Sequence, residues 1–282
     1  MSEVKLDDIV SLAKRRGFIY PGSDVYGGLS GTWDYGPLGV ALKRNVMSLW
    51  WKMFIESRDD MYGVDAAILM NQKVWQASGH TATFTDPLVE CSNCHGRFRG
   101  DHLLKPYEND TTGVLHEEFN GSIESIRANI DVFRPKCPTC GAQDWGEPRA
   151  FNMMFKTNVG PVDDESSISY LRPETAQGIF TNFRNVVDSF YPDLPFGIGQ
   201  QGKAFRNEIS PRDFVFRSRE FEQMEIEYFV RPENWEESFE HWRQQWHAYF
   251  NALGLPAESI HELEVPEEDR AHYSKRTVDF EF

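Results

Sequence analysis

Residues 203–229 constrain this chain more than any other stretch. Two β-patterned runs flank a polar loop carrying Ser210, Pro211 and Arg212. Side chains alternate across a strand, so Arg206 and Glu208, two apart, are predicted on one sheet face. On the second run Arg217, Arg219, Phe221, Gln223, Glu225 and Glu227 share a face. Met224, Ile226 and Tyr228 take the other, fit for burial against a helix. A polar face with guanidinium groups, an aromatic ring and carboxylates suits a ligand that combines a phosphate, a flat base and an ammonium group.

At 282 residues the chain exceeds one average domain, so one large domain with insertions, or two domains, is expected. Hydrophobic content of 40% and aromatic content of 14% supply a substantial core. No run approaches eighteen apolar residues, which predicts no membrane span. The start, Met-Ser-Glu-Val-Lys-Leu-Asp-Asp, is charged and lacks an apolar h-region, so no secretory signal is expected and the location read from it is cytoplasmic. The net charge of −15 opposes nucleic-acid binding, whose affinity grows with the phosphates neutralised. Either local basic groups (Lys203, Arg206, Arg212, Arg217, Arg219) act despite the global charge, or nucleic-acid contact lies outside this chain.

Residues 5–16 read as a short helix with Leu6, Ile9, Val10 and Ala13 on one face. Residues 20–39, dense in glycine and aromatics, read as a shaped loop. Leu38, Leu42, Val46, Leu49, Trp50 and Met53 recur at helical spacing, predicting a helix over about 38–56 that Pro37 suits as a start. Residues 62–70 read as a strand and 86–150 as an insertion containing the polar run 108–113. After Arg231 a helix is expected through about Leu253. Its stripe of Trp235, Phe239, Trp242, Trp246, Tyr249 and Phe250 reads as core packing, and the acidic, proline-punctuated stretch 254–272 as a loop or connection. The predicted organisation is 1–85, then the insertion 86–150, then 151–282.

All four cysteines fall in the insertion, as Cys91-Ser-Asn-Cys94 and Cys137-Pro-Thr-Cys140, with 42 residues between the pairs. Each Cys-x-x-Cys forms a knuckle with two thiolates aimed at one point, and two knuckles complete a tetrahedral zinc shell. Four protein ligands leave no open position, so such a site is structural. His95 and His102 are competing ligands that two complete pairs make unnecessary. Four free buried cysteines are the bland alternative.

Phe205-Arg206-Asn207-Glu208, a loop, then Arg219-Glu220-Phe221 resembles motif 2 of the class II aminoacyl-tRNA synthetases. Tyr35-Gly36-Pro37-Leu38-Gly39, Trp50-Trp51, Ser78-Gly79-His80, Leu171-Arg172-Pro173-Glu174-Thr175-Ala176-Gln177-Gly178 and the run 202–212 narrow the resemblance to the dimeric glycyl-tRNA synthetases, over about residues 9–282. The fold this implies is α+β: an antiparallel sheet flanked by helices, with the zinc-knuckle insertion. The helix and strand over 38–70 are similar to motif 1, the dimer-forming element, although the proline usual in its strand is absent between Tyr62 and Met70. A homodimer through motif 1 follows from the resemblance.

The implied reaction activates glycine with ATP and Mg2+, then transfers it to tRNA(Gly). Positioning and charge stabilisation dominate such chemistry. The resemblance casts Arg206 as the catalytic group that bridges the α-phosphate and the glycine carboxylate; the bland reading is an ion pair with Glu208. Glu208, the second catalytic candidate, would meet the adenine amino group or a magnesium-linked water network. Phe221 would stack on adenine. Asn207, Arg217, Arg219 and Glu220 complete the ATP-binding set. Glycine offers no side chain, so a site must grip its ammonium and carboxylate and fill the remaining space. Glu174 and Glu225 are assigned to the ammonium, with Phe221, Gln223 and Arg99 around the substrate and Gln177 and Ser210 as further candidates. Without the resemblance, Glu174 would read as a solvated glutamate after a proline turn.

No counterpart of the third class motif, with its γ-phosphate-binding arginine, is found before Phe282, nor is an anticodon-binding domain. The expectation is therefore the N-terminal portion of a longer enzyme, weak or inactive alone. The alternative is a synthetase-like platform that binds nucleic acid or a protein without catalysis. A stand-alone zinc module for nucleic acid fits less well, because basic and aromatic residues are sparse around the cysteines.

Overall fold

Strand and helix signals alternate along the whole chain, and the computed structural model resolves them into an α+β arrangement of small antiparallel sheets and flanking helices. It describes residues 5–107, 121–162, 164–211 and 214–282; Arg212 and the polar run 108–113 lie outside the described residues. The chain divides into two compact units. The first comprises residues 1–41, 64–184 and 200–225, the second residues 42–63, 185–199 and 226–282.

The first unit begins with the predicted helix, found at Leu6–Arg15. Strands Ile19–Pro21 and Trp33–Tyr35 then pair antiparallel, Ile19 opposite Tyr35, and so close the glycine-rich loop between them. One three-stranded sheet orders Leu69–Met70, Ile168–Leu171 and Lys156–Asn158. Another orders Arg97–Arg99, Thr85–Glu90 and Arg149–Asn152, with Leu88 opposite Arg99 and Asp86 opposite Phe151. Helix Ile123–Phe133 starts where the Ser122 hydroxyl accepts the Ser125 N–H at 3.1 Å, a side-chain cap. Its buried Ile126 and Ile130 meet Val89, Phe98, Leu103 and Leu104 in a core that also takes in Cys91 and Cys137.

Helix Pro37–Trp51, which enters the second unit at residue 42, continues into a π-helical turn, Lys52–Glu56. The predicted helix over 38–56 is thus present, but its last turn is widened. Phe54, fully buried, is the hub: its ring lies 5.8 Å from Trp242, 5.4 Å from Trp246 and 5.5 Å from Tyr249, all on helix Trp235–Ala252. Those three members of the aromatic stripe are core, as their spacing predicts. Tyr228 projects against the same helix, its ring 5.2 Å from Trp242.

Three local expectations are corrected. The predicted strand 62–70 is two strands, Met61–Val64 and Leu69–Met70, which join different sheets. The stretch 254–272 is not only a connection, since His261–Glu264 pairs antiparallel with Val278–Glu281. Its acidity misled because Glu262 is paired with Arg243 and His247, and Glu264 with Arg276.

The third correction concerns the two long runs. They are the neighbouring strands Phe196–Phe205 and Glu220–Phe229, which leave Arg206, Asn207, Glu208, Arg217 and Arg219 outside them. Pairing persists one step further, through Arg206 N–H to Arg219 O at 2.9 Å. A tight turn then follows, with Glu208 N–H bonded to Arg206 O at 2.8 Å. That turn breaks the alternation, so Arg206 and Glu208 do not share a sheet face. Arg217 ends a 3-10 turn, Phe214–Arg217, and Arg219 precedes the strand.

Candidate functional site

The four cysteine sulfurs lie within 4.8 Å of one another, with Cys91–Cys140 and Cys94–Cys137 both at 3.7 Å. A tetrahedral shell with Zn–S near 2.3 Å has edges of about 3.8 Å, so the donor set fits a four-thiolate ion. The two knuckles are built alike. In each, the first cysteine carbonyl accepts the N–H four residues on (His95, Gly141; both 2.9 Å). Its N–H returns to the carbonyl five residues on (Gly96 at 2.9 Å, Ala142 at 2.7 Å). His95 and Gly141 take left-handed φ values of 56° and 75°, as that closure demands. The four thiols split their protons: hydrogen bonds from Asn93 and the Ala142 N–H pull Cys140 down to about 6, while, against the Gly96 N–H, burial and the other three thiols push Cys94 up to about 12. His95 instead pairs with Glu90 at 3.1 Å.

A second cluster gathers around three consecutive residues. Pro173 O accepts from Arg206 Nε at 3.1 Å, Thr175 N–H donates to Gln223 Oε1 at 3.1 Å, and Thr175 Oγ1 donates to Glu225 Oε2. Glu174 lies between them. Two residues of chain span at most about 7 Å, so Arg206, Glu174, Gln223 and Glu225 converge within the length of a small ligand. The Arg206 guanidinium is stacked 5.3 Å from the Phe221 ring centre and 5.5 Å from Phe84. It is not paired with Glu208. Backbone geometry holds the segment: buried Arg172 donates to Lys203 O at 2.7 Å and to Ala66 O at 2.8 Å. Gly202 permits this, since a Cβ there would sit 2.3 Å from Arg172 Nη2.

The two carboxyls in this cluster differ. A hydrogen bond from His80 holds Glu174 below the usual carboxylate range, with Gln177 and Arg206 adding to the effect against burial. Burial pushes Glu225 up, and the nearby Glu174 charge adds to that; Thr175 and Arg206 oppose it. Like charges sharing a site are expected to separate in this way.

A third cluster holds the remaining candidates. Glu208, buried, pairs with Arg217 at 3.0 Å, and its backbone carbonyl accepts from Arg219 Nη2 at 2.9 Å. Arg219 also donates to Ser30 O at 2.5 Å. Arg99 forks onto Asp101 (3.1 and 2.6 Å) and reaches Asp86 at 2.5 Å. Arg99 feels the Glu208 charge, so the third cluster is electrostatically continuous. Glu220 is exposed and paired with Lys203, Asn207 N–H bonds Met153 O at 2.6 Å, and Ser210 Oγ donates to Arg97 O at 2.9 Å. Sequence reasoning missed Phe84, Asp86, Thr175 and the role of His80. Only Thr175 and His80 carried a signal, as members of the Pro173-Glu174-Thr175 and Ser78-Gly79-His80 runs.

Residues 155–282 match the family model described as the tRNA synthetase class II core domain (G, H, P, S and T). Among solved structures, the prolyl-tRNA synthetase of Cryptosporidium parvum, complexed with halofuginone and AMPPNP, superposes with a TM-score of 0.58 at 13% identity. The match covers 97% of this chain and 40% of that one. Fold and core domain together define a protein of the class II aminoacyl-tRNA synthetase fold. Within that class the chain resembles glycine–tRNA ligases along nearly its whole length. It is 49% identical to those of Deinococcus radiodurans, Bifidobacterium longum and Alkaliphilus oremlandii, over 99%, 100% and 100% of this chain and 58%, 55% and 61% of theirs. The chain thus spans somewhat over half the length of these relatives. Among the described residues no helix is long and apolar enough to cross a membrane.

Proposed function

We propose that the protein acts in the ATP-dependent activation of glycine and its transfer to tRNA(Gly), as the names of its relatives suggest. The observation that carries the reading is the convergence of Arg206, Glu174 and Glu225 on the segment Pro173-Glu174-Thr175. Two carboxylates accept the ammonium of glycine. Arg206 spans its carboxylate and the α-phosphate of ATP, so that a carboxylate oxygen attacks phosphorus while pyrophosphate leaves. Phe221 carries Arg206 on one face, and adenine stacks on the other. Glu208, anchored by Arg217, orients the adenine amino group, and Asn207, Arg219 and Glu220 line the nucleotide side. Arg99, already forked onto two aspartates, bounds the pocket rather than gripping a free charge. Mg2+ would offset the triphosphate charge. Zn2+ would sit in the four-cysteine shell as a structural ion that braces the insertion over 86–150. The same reading carries a cytoplasmic homodimer formed through motif 1, and the three-part organisation 1–85, 86–150 and 151–282.

Glycine-dependent ATP–pyrophosphate exchange tests the proposal. Exchange that is weak, as expected of this chain alone, but requires glycine and disappears in Arg206→Ala is the expected result. Exchange that survives Arg206→Ala would overturn the mechanism. Absence of both exchange and glycine binding would favour a synthetase-like platform.

A further inference from the structure

Ser78 and His80, to which the proposed reaction gives no role, form a string that ends at Glu174. Ser78 Oγ lies 2.8 Å from His80 Nδ1, and His80 Nε2 lies 3.4 Å from Glu174 Oε1. The imidazole is held by its neighbours. Fully buried Trp75 meets it edge-on at 5.5 Å between centroids, and Phe84 flanks it at 5.3 Å. The His80 carbonyl accepts from Asn152 Nδ2 at 3.0 Å. Between Ser78 and His80 the chain turns through Gly79 at φ 83°, a left-handed conformation that a residue with a Cβ resists.

A neutral imidazole has one N–H. When the Ser78 hydroxyl donates to Nδ1, the ring proton sits on Nε2 and points at Glu174. The carbonyl of Trp75, 3.4 Å from the same hydroxyl, is the more distant acceptor. Glu174, an acceptor when ionised, requires a donor at Nε2, so both ends of the string specify one tautomer. The other groups facing Glu174 are Gln177, Arg206 and Glu225. Of these, Glu225 competes for the same cations and repels.

We propose that Ser78 and His80 are positioning residues: Ser78 fixes the Nε2–H tautomer of His80, and that N–H orients the Glu174 carboxylate toward the ammonium of glycine. The identity of the ammonium rests on the function proposed above; the tautomer and the carboxylate orientation do not. The string separates the two glutamates in role. Glu174 stays an oriented anion while Glu225, bonded by Thr175, is the partner whose charge burial resists.

Long-range 1H–15N correlation spectra of the histidine rings at pH 7.5 test the string directly. His80 is expected as the Nε2–H tautomer in the wild type and with a larger Nδ1–H share in Ser78→Ala, where Glu174 alone still favours Nε2–H. An Nδ1–H or doubly protonated ring in the wild type overturns the proposal. Calorimetric glycine titration across pH supplies the second readout. His80→Phe keeps the ring packing but lacks the donor, and should weaken glycine about tenfold and move the acidic limb of binding to higher pH. His80→Gln, which restores an N–H, should recover most of the affinity. Wild-type affinity in His80→Phe at every pH overturns the proposal. If the wild type binds no glycine, the glycine reading fails and the tautomer result alone decides the string.

Discussion

Thr175 donates its hydroxyl to Glu225 and its backbone N–H to Gln223, so one fully buried residue ties down two side chains of the neighbouring strand. Thr175→Val keeps the shape and removes the hydroxyl. The Glu225 carboxylate then loses a partner in a half-buried site, at a cost of roughly 1–3 kcal/mol. Urea unfolding should show that loss, and calorimetry a glycine affinity about tenfold weaker. Thr175→Ser should retain most of both.

Glu225 predicts a trade between stability and binding. Burial first, then the Glu174 charge, raises its pKa in the fold. A carboxyl raised on folding contributes stability below its unfolded pKa, and that contribution is lost as pH rises through the folded value. At neutral pH the ionised Glu225 is therefore a cost to the unliganded protein. Glu225→Gln should raise Tm at pH 7.5 by about 2 °C. The gain should fade as pH is lowered toward 4, and glycine binding should be lost at all pH values. An unchanged or lower Tm at pH 7.5 would contradict this assignment.

The cysteine shell predicts one zinc per chain by elemental analysis. Chelation, or Cys91→Ser, should loosen the core formed with Phe98, Leu104, Ile126 and Ile130. Trp145 reports it: its ring sits 5.7 Å from Phe98 and its Nε1 donates to Pro135 O at 2.9 Å. Its fluorescence should shift to the red on chelation and recover when zinc is returned.

Phe54 is fully buried among three aromatic rings of helix Trp235–Ala252. Phe54→Ala should cost about 3–5 kcal/mol, measured by denaturant unfolding. Phe216, 79% exposed, should tolerate alanine within about 0.5 kcal/mol.

The sequence was most legible where one periodicity ran long. The aromatic stripe of helix Trp235–Ala252 and the helix Leu6–Arg15 were both readable from spacing. The cysteine pairs were readable because Cys-x-x-Cys encodes its own local turn. Strand register around Arg206 was not readable, because a single hydrogen bond from Glu208 N–H to Arg206 O ends the alternation, and no residue type announces it. The partners of the site residues were also hidden. Phe84 beside Arg206 and Asp86 beside Arg99 come from distant or differently patterned segments that only tertiary pairing brings near. The convergence of Arg206 with Glu225 is expected from the polar sheet faces, and that of Glu174 only from the resemblance. It arises instead from a three-residue segment that each of them, or a neighbour, grips.

The most direct test is calorimetric titration with a non-hydrolysable sulfamoyl analogue of glycyl-adenylate. The wild type should bind it. Arg206→Ala and Glu225→Gln should each weaken binding at least about tenfold, and the double variant by less than the product, because both groups hold one ligand. Equal affinity in wild type and both single variants would contradict the account.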